Sequence, residues 1–164
     1  MKLRLLEQKD APLMLEWMHD ADCVENLQAN FADKTIADCE RFIEASQDTA
    51  ETLNMAIVDD QDEYMGTVSL KHIDMTLKTA EFAIATRRCS MGKGFAAFGM
   101  KAIIEKGLNE LGLDTVVWCV SPLNARAVRF YDKNGWQRVP ADTVRTDGYT
   151  PEQVASLIWY CASK

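Results

Sequence analysis

AEFAIATRRCSMGKGFAAFGMKAI, residues 80–103, is the stretch whose reading decides the fold. Ala80–Thr86 reads as a strand. From Phe95 the apolar residues recur at helical spacing as far as Leu111, and Gly112 supplies a stop. Between them lies MGKGFA, residues 91–96. Gly92 and Gly94 permit positive φ and let the backbone approach a ligand closely. A helix starting there presents N–H groups without internal partners, and its dipole favours an anion. Lys93 adds positive charge. By itself the stretch is either a phosphate cradle or a plain turn from strand to helix.

Working outward, residues 2–6 read as a first strand. Asp10 caps a helix with Pro12 in its first turn, running to about His19. Leu13, Met14, Trp17 and Met18 share one face of it. A second helix starts after Thr35 with Ile36, Cys39, Phe42 and Ile43 facing inward. Leu53–Val58 and Tyr64–Leu70 form a hairpin around the charged turn DDQDE, residues 59–63. TVVWCV, residues 115–120, is a strand apolar enough to be covered on both faces. Asn124–Asn134 is helical and Gly135 stops it. Two more strands follow, near Gln137 and over 155–161. The expected fold is α/β (α+β): one domain, residues 1–164, with a mixed, mostly antiparallel sheet of six to seven strands flanked by about four helices.

Composition narrows the function. The 164 residues are 48% hydrophobic and 26% charged, an ordinary soluble mixture. The first residues, MKLRLLEQKD, lack the apolar core of a signal segment, and no long apolar run is present; a cytoplasmic protein without membrane contact is expected. Cys23, Cys39, Cys89, Cys119 and Cys161 are scattered singly, which disfavours a disulfide scaffold or zinc ribbon. With only His19 and His72 besides, no metal site is expected. A net charge of −7 argues against nucleic acid and is compatible with a cationic small molecule or with mere solubility.

Named phosphate loops can be tested on MGKGFA. A Walker loop requires Lys-Ser or Lys-Thr, whereas Gly94 is followed by Phe95. The dinucleotide fingerprint is matched formally by Gly92, Gly94 and Ala97, but it belongs after the first strand of a parallel sheet. Residues 80–103 together with VVWCVSPLNARAVRFYDKNGW, residues 116–136, resemble the GNAT acetyltransferase superfamily. Its pyrophosphate loop is Q/R-x-x-G-x-G/A, and its second signature is N-x-x-A/S-x-x-x-Y-x-K-x-G-F. Asn124, Ala127, Tyr131, Lys133, Gly135 and Trp136 follow that second signature in order. Met91 departs from the first, where the family has Arg or Gln, and a thioether offers phosphate no charged bond. Arg87 or Arg88 can substitute for the missing charge, or both are solvated surface residues.

The resemblance implies acetyl-CoA as cosubstrate, held by Ile84, Ala85 and Thr86 along the pantetheine. It implies Met91, Gly92, Lys93, Gly94, Phe95 and Ala96 around the diphosphate, with Asn124, Arg126 and Tyr131 from the second helix. Tyr131 is then the general acid toward the CoA sulfur; a phenol and a thiol differ by about 1.5 pK units. Its alternative is a packing anchor. Asn124 caps its helix, touches the cofactor, or both. Glu81 is the candidate general base, or a solvated strand residue. Asp20, Asp22, Glu25, Asn30 and Phe31 in the loop between the first helices are the acceptor wall, or a solvated loop. The implied activity is acetyl transfer to a primary amine of a small molecule, an aminosugar nucleotide or a polyamine. A peptide N-terminus and a non-catalytic acyl-CoA-binding module stay open as alternatives, and the resemblance leaves room for a homodimer.

Overall fold

In the computed structural model, which describes residues 1–27, 29–48 and 50–164, the chain begins with β1 (Lys2–Leu5) and α1 (Ala11–Met18). Asp10 sits at the start of α1 but makes no cap bond to it. Its buried carboxylate instead accepts from the Glu7 N–H at 2.9 Å and from both ends of the Arg4 guanidinium at 2.7 and 2.8 Å. A short α2 (Ala21–Val24) is capped by Asp20. In α3 (Ile36–Ala45), Thr35 and Asp38 cap reciprocally, satisfying two orphan donors at once. The hairpin of β2 (Leu53–Val58) and β3 (Tyr64–Asp74) follows. Its turn is closed by Asp59, whose Oδ1 accepts the N–H groups of Gln61 and Glu63 at 2.9 Å each. Then come β4 (Thr79–Thr86), α4 (Phe95–Glu105) prolonged by a π turn over Lys106–Glu110, and β5 (Thr115–Val120). The chain ends with α5 (Ala125–Lys133), β6 (Gln137–Val139), α6 (Pro151–Ser156) and β7 (Ile158–Ser163).

The seven strands form one sheet in the order β1-β2-β3-β4-β5-β7-β6. Every neighbouring pair is antiparallel except β4 and β5. One face packs α4 around Met100, Ile103, Trp118 and Tyr160. The other packs α1 and α3 around Met14, Trp17, Ile43 and Tyr64. Gly99 lets α4 lie close to the sheet: a Cβ there would fall 2.3 Å from Ile57 Cδ1 and 2.7 Å from Ile57 Cγ1.

Three sequence expectations are corrected. Ile36 and Phe42 do not face inward; they are 40% and 42% exposed, because α3 buries only the Cys39–Ile43 stripe, one i,i+4 pair wide. Residues 155–157 are not strand. Thr150 and Gln153 form a capping box around Pro151 and start α6, so β7 begins at Ile158. Among the described residues six α-helices flank the sheet against the expected four or so, the extra two being the short α2 and α6. No described helix is long and apolar enough to cross a membrane. Among the described residues, no cluster of three or more His, Cys, Asp or Glu side chains could hold a metal ion.

Candidate active site

β4 and β5 run parallel but pair only over Thr79–Glu81 and Thr115–Val117. Beyond that point they part, β4 reaching Thr86 and β5 reaching Val120. The edge of β4 facing β5 therefore carries main-chain groups with no strand partner over residues 82–86, an edge that an extended ligand can join. A cavity of about 840 Å³ opens between this splay, the start of α4 and α5, within the range of about 300–1,000 Å³ typical of small-molecule sites. Ile84, Ala85 and Thr86 line one side, Met91, Gly92, Gly94 and Ala96 the next, and Asn124, Arg126 and Tyr131 the third.

Gly92 has φ +73° and Gly94 has φ +85°, a region that side-chain-bearing residues rarely enter. Gly94 is the N-cap of α4 and offers no side chain, whereas Thr35, Asn124 and Thr150 cap α3, α5 and α6. The first backbone bond into α4 is Phe98 N–H to the Gly94 carbonyl at 3.0 Å. Among the described residues, the N–H groups of Gly92, Gly94, Phe95 and Ala96 find no acceptor. Uncapped amides at a helix start, open to a cavity, are what a diphosphate requires.

Tyr131 is 8% exposed. Its ring packs 5.8 Å from Trp118 and 5.1 Å from Tyr160, centroid to centroid, while its side chain borders the cavity. The hydroxyl has no hydrogen-bond partner among the described residues, yet it is not sealed from the cavity as Trp118 Nε1 is sealed in the core. Burial raises this phenol well above its ordinary value, so it holds its proton at neutral pH. Asn124 accepts from the Ala127 N–H at 3.2 Å, so it caps α5 and borders the cavity together.

The family described as "Acetyltransferase (GNAT) domain" matches residues 1–137. The chain belongs to the GNAT acetyltransferase family. The uncharacterized N-acetyltransferase p20 of Bacillus licheniformis is 26% identical over 139 residues, 83% of this chain and 78% of that protein. The GNAT fold is shared with spermidine N-acetyltransferase from Vibrio cholerae in complex with CoA and spermine, with a TM-score of 0.80 at 18% identity over 99% of this chain and 94% of that one. A chimera of the Vibrio cholerae enzyme SpeG with hSSAT gives 0.76 at 18% identity, over 99% of this chain and 94% of that one. The activity is acetyl-CoA-dependent N-acetyl transfer.

Against the GNAT pattern, several expected residues lie elsewhere. Lys93 and Phe95 do not line the cavity; Lys93 is exposed, and Phe95 turns into the core. Arg87 does not replace the charge missing at Met91. Its guanidinium is buried between Glu16 (3.0 Å to each oxygen), Glu63 (2.7 Å) and the Tyr64 carbonyl (2.9 Å). Arg88 is paired with Asp20 (2.7 Å) and Asp22 (2.7 Å), which lowers the Asp20 carboxyl to about 2. Of the loop set, Asp22 and Glu25 line the cavity. Phe31 packs edge-on against Trp17, and Asn30 closes its own turn with Ala32 and Asp33.

Glu81 does not line the cavity. It points to the sheet face opposite Phe82, where Oε1 accepts from the Tyr149 hydroxyl at 2.6 Å and lies 3.9 Å from Lys71 Nζ. Sequence reasoning missed Arg129 and took Lys133 only as part of the second signature; both also line the cavity. Their spacing of three and seven from Arg126 was the available signal.

Proposed function

We propose that this GNAT enzyme acetylates a primary amine of a short polyamine. The observation that carries the reading is that Asp22 and Glu25 border the same cavity as the amide loop of α4, Asp22 shared with Arg88 and Glu25 without a cationic partner among the described residues. A polycationic amine gains Coulomb attraction from that wall, whereas an aminosugar nucleotide would bring phosphates against it. The likeness of fold to a spermidine N-acetyltransferase supports the same class.

Acetyl-CoA supplies the thioester; the chain's residues hold it and move protons. The unpaired edge of β4 at Ile84–Thr86 grips the pantetheine and gives an N–H to the developing oxyanion. Tyr131 donates its proton to the departing sulfur, its raised value keeping it protonated until then. Glu81 lies outside the cavity, its Oε1 held by the Tyr149 hydroxyl, so the ammonium proton leaves to solvent water.

Thiol release measured with spermidine, an aminosugar nucleotide and a short peptide tests the reading. Spermidine is expected to give the largest kcat/KM, and Asp22→Asn with Glu25→Gln is expected to raise its KM about tenfold. Faster turnover of the sugar nucleotide, or an unchanged KM in the double variant, overturns the proposal.

A further inference from the structure

Among the described residues, those of the loop that line the cavity provide amides but no free positive charge, the exposed Lys93 standing outside the lining. Met91 is uncharged, Arg87 is buried between Glu16 and Glu63, and Arg88 faces Asp20 and Asp22. The phosphates of coenzyme A carry several negative charges that amides alone neutralise poorly. The facing helix α5 shows the opposite imbalance. Arg126, Arg129 and Lys133 all border the cavity and are exposed. Among the described residues none has a carboxylate partner. The one carboxylate on α5, Asp132, turns away to Arg138 and to the Tyr160 hydroxyl at 3.0 Å.

This charge pattern works against the helix that carries it. Arg126 is the second residue of α5, where the dipole disfavours a cation. Arg126 and Arg129 are neighbours at i,i+3, and like charges at such spacing destabilise a helix. Packing does not explain them, and a bound anion does.

Topology fixes which of these cations meets which part of the cofactor. β4 and β5 are parallel, so the loops that leave them, 87–94 and 121–124, emerge at the same end of the sheet. The first turn of α5 thus lies on the diphosphate side of Tyr131, and Lys133 lies beyond it. Resting on acetyl-CoA as the cosubstrate, we infer that Arg126 and Arg129 form a subsite for the 3′-phosphate on the cofactor's ribose. Together they supply from α5 the charge that Met91 withholds from the loop. The subsite makes the enzyme discriminate between CoA and dephospho-CoA, which differ by that phosphate alone.

Titration calorimetry of the intact protein with CoA and with dephospho-CoA reads this directly, without turnover. The wild type is expected to bind CoA about tenfold more tightly, a preference that shrinks in 0.5 M salt by screening. Arg126→Gln with Arg129→Gln is expected to bring the preference below about twofold while the Kd for dephospho-CoA stays put. Lys133→Gln is expected to keep the preference, and Arg129→Lys to keep most of it, with circular dichroism confirming that each variant folds. Equal affinity of the wild type for both ligands, or a preference that survives the double substitution, overturns the subsite alone. Failure of both ligands to bind the wild type overturns it together with the acetyl-CoA reading.

Discussion

Tyr131 and Tyr64 are both buried, yet their hydroxyls stand in opposite situations, and exchanging each for Phe separates chemistry from packing. Tyr64 is 1% exposed; its oxygen accepts from Trp17 Nε1 at 3.0 Å and shares a 2.7 Å bond with Thr67 Oγ1. Tyr64→Phe strands two buried polar groups at about 1–3 kcal/mol each. The loss is then about 2–6 kcal/mol, which at about 2–4 °C per kcal/mol in a domain of this size lowers Tm by about 4–24 °C. Among the described residues the Tyr131 hydroxyl has no partner to lose, so Tyr131→Phe is expected to leave Tm within about 2 °C. Its effect falls on turnover. A general acid contributes about 10²–10⁴-fold, or about 2.7–5.5 kcal/mol of barrier, so kcat drops by that factor while the Kd for CoA is unchanged. The sign of the raised phenol gives a second test. Its protonated form persists above the ordinary value of 10.0, so wild-type kcat shows no alkaline loss below that pH. Calorimetry and thiol-release kinetics on the two variants decide the matter. A Tyr131→Phe enzyme with wild-type kcat, or one that melts as early as Tyr64→Phe, refutes the assignment of acid to Tyr131.

Two further outcomes follow from the same contacts. In Gly99→Ala the new methyl meets Ile57 at 2.3 and 2.7 Å and Val68 Cγ1 at 3.2 Å; overpacking at about 1–3 kcal/mol outweighs a helix-propensity gain of about 1 kcal/mol. Tm falls, and Ile57→Ala in the same chain costs less than the sum of the single changes, as measured by urea midpoints. Asp20, with its carboxyl depressed from 3.8 to about 2 by Arg88, contributes stability that is complete above pH 3.8 and lost as pH falls through 2. The gap in midpoint between wild type and Arg88→Gln should therefore close over that interval; a gap that persists at pH 2 rules out the ion pair as its source.

The sequence made the sheet legible where one period dominated. Leu53–Val58, Tyr64–Leu70 and Thr115–Val120 are buried strands because their residue types suit a pleated surface with few competing polar groups. It misled where faces are narrow. Phe42 stands one position from the Cys39–Ile43 stripe, and only the packing of α3 decides that it remains exposed. The start of α6 was readable from Thr150-Pro151-Glu152-Gln153, but the apolar residues beyond it read more strongly as strand. At the site, the resemblance to the GNAT signatures pointed to the loop and to the Asn124–Tyr131 helix, and residues of both border the cavity. The fates of Arg87 and Arg88 depended on Glu16, Glu63 and Asp20, partners distant in sequence that no local pattern announces.

The net charge of −7 is an average that conceals a division of labour. Within one cavity, Asp22 and Glu25 stand on the α2 side, Arg126 and Arg129 on α5, and the neutral amides of Gly92–Ala96 between them. Arg88 neutralises the nearest carboxylates of the α2 side without joining the lining. On the proposed reading of the two walls, such a gradient sorts two ligands of opposite charge before any specific contact forms, the anionic cofactor being repelled from the acidic wall and a cationic amine from the basic one. Reversing the α5 charges should therefore weaken cofactor binding and also draw the polyamine into the cofactor's place, seen as competitive inhibition by spermidine against acetyl-CoA that the wild type lacks. If spermidine never competes with acetyl-CoA in such a variant, the two walls act independently and the sorting argument fails.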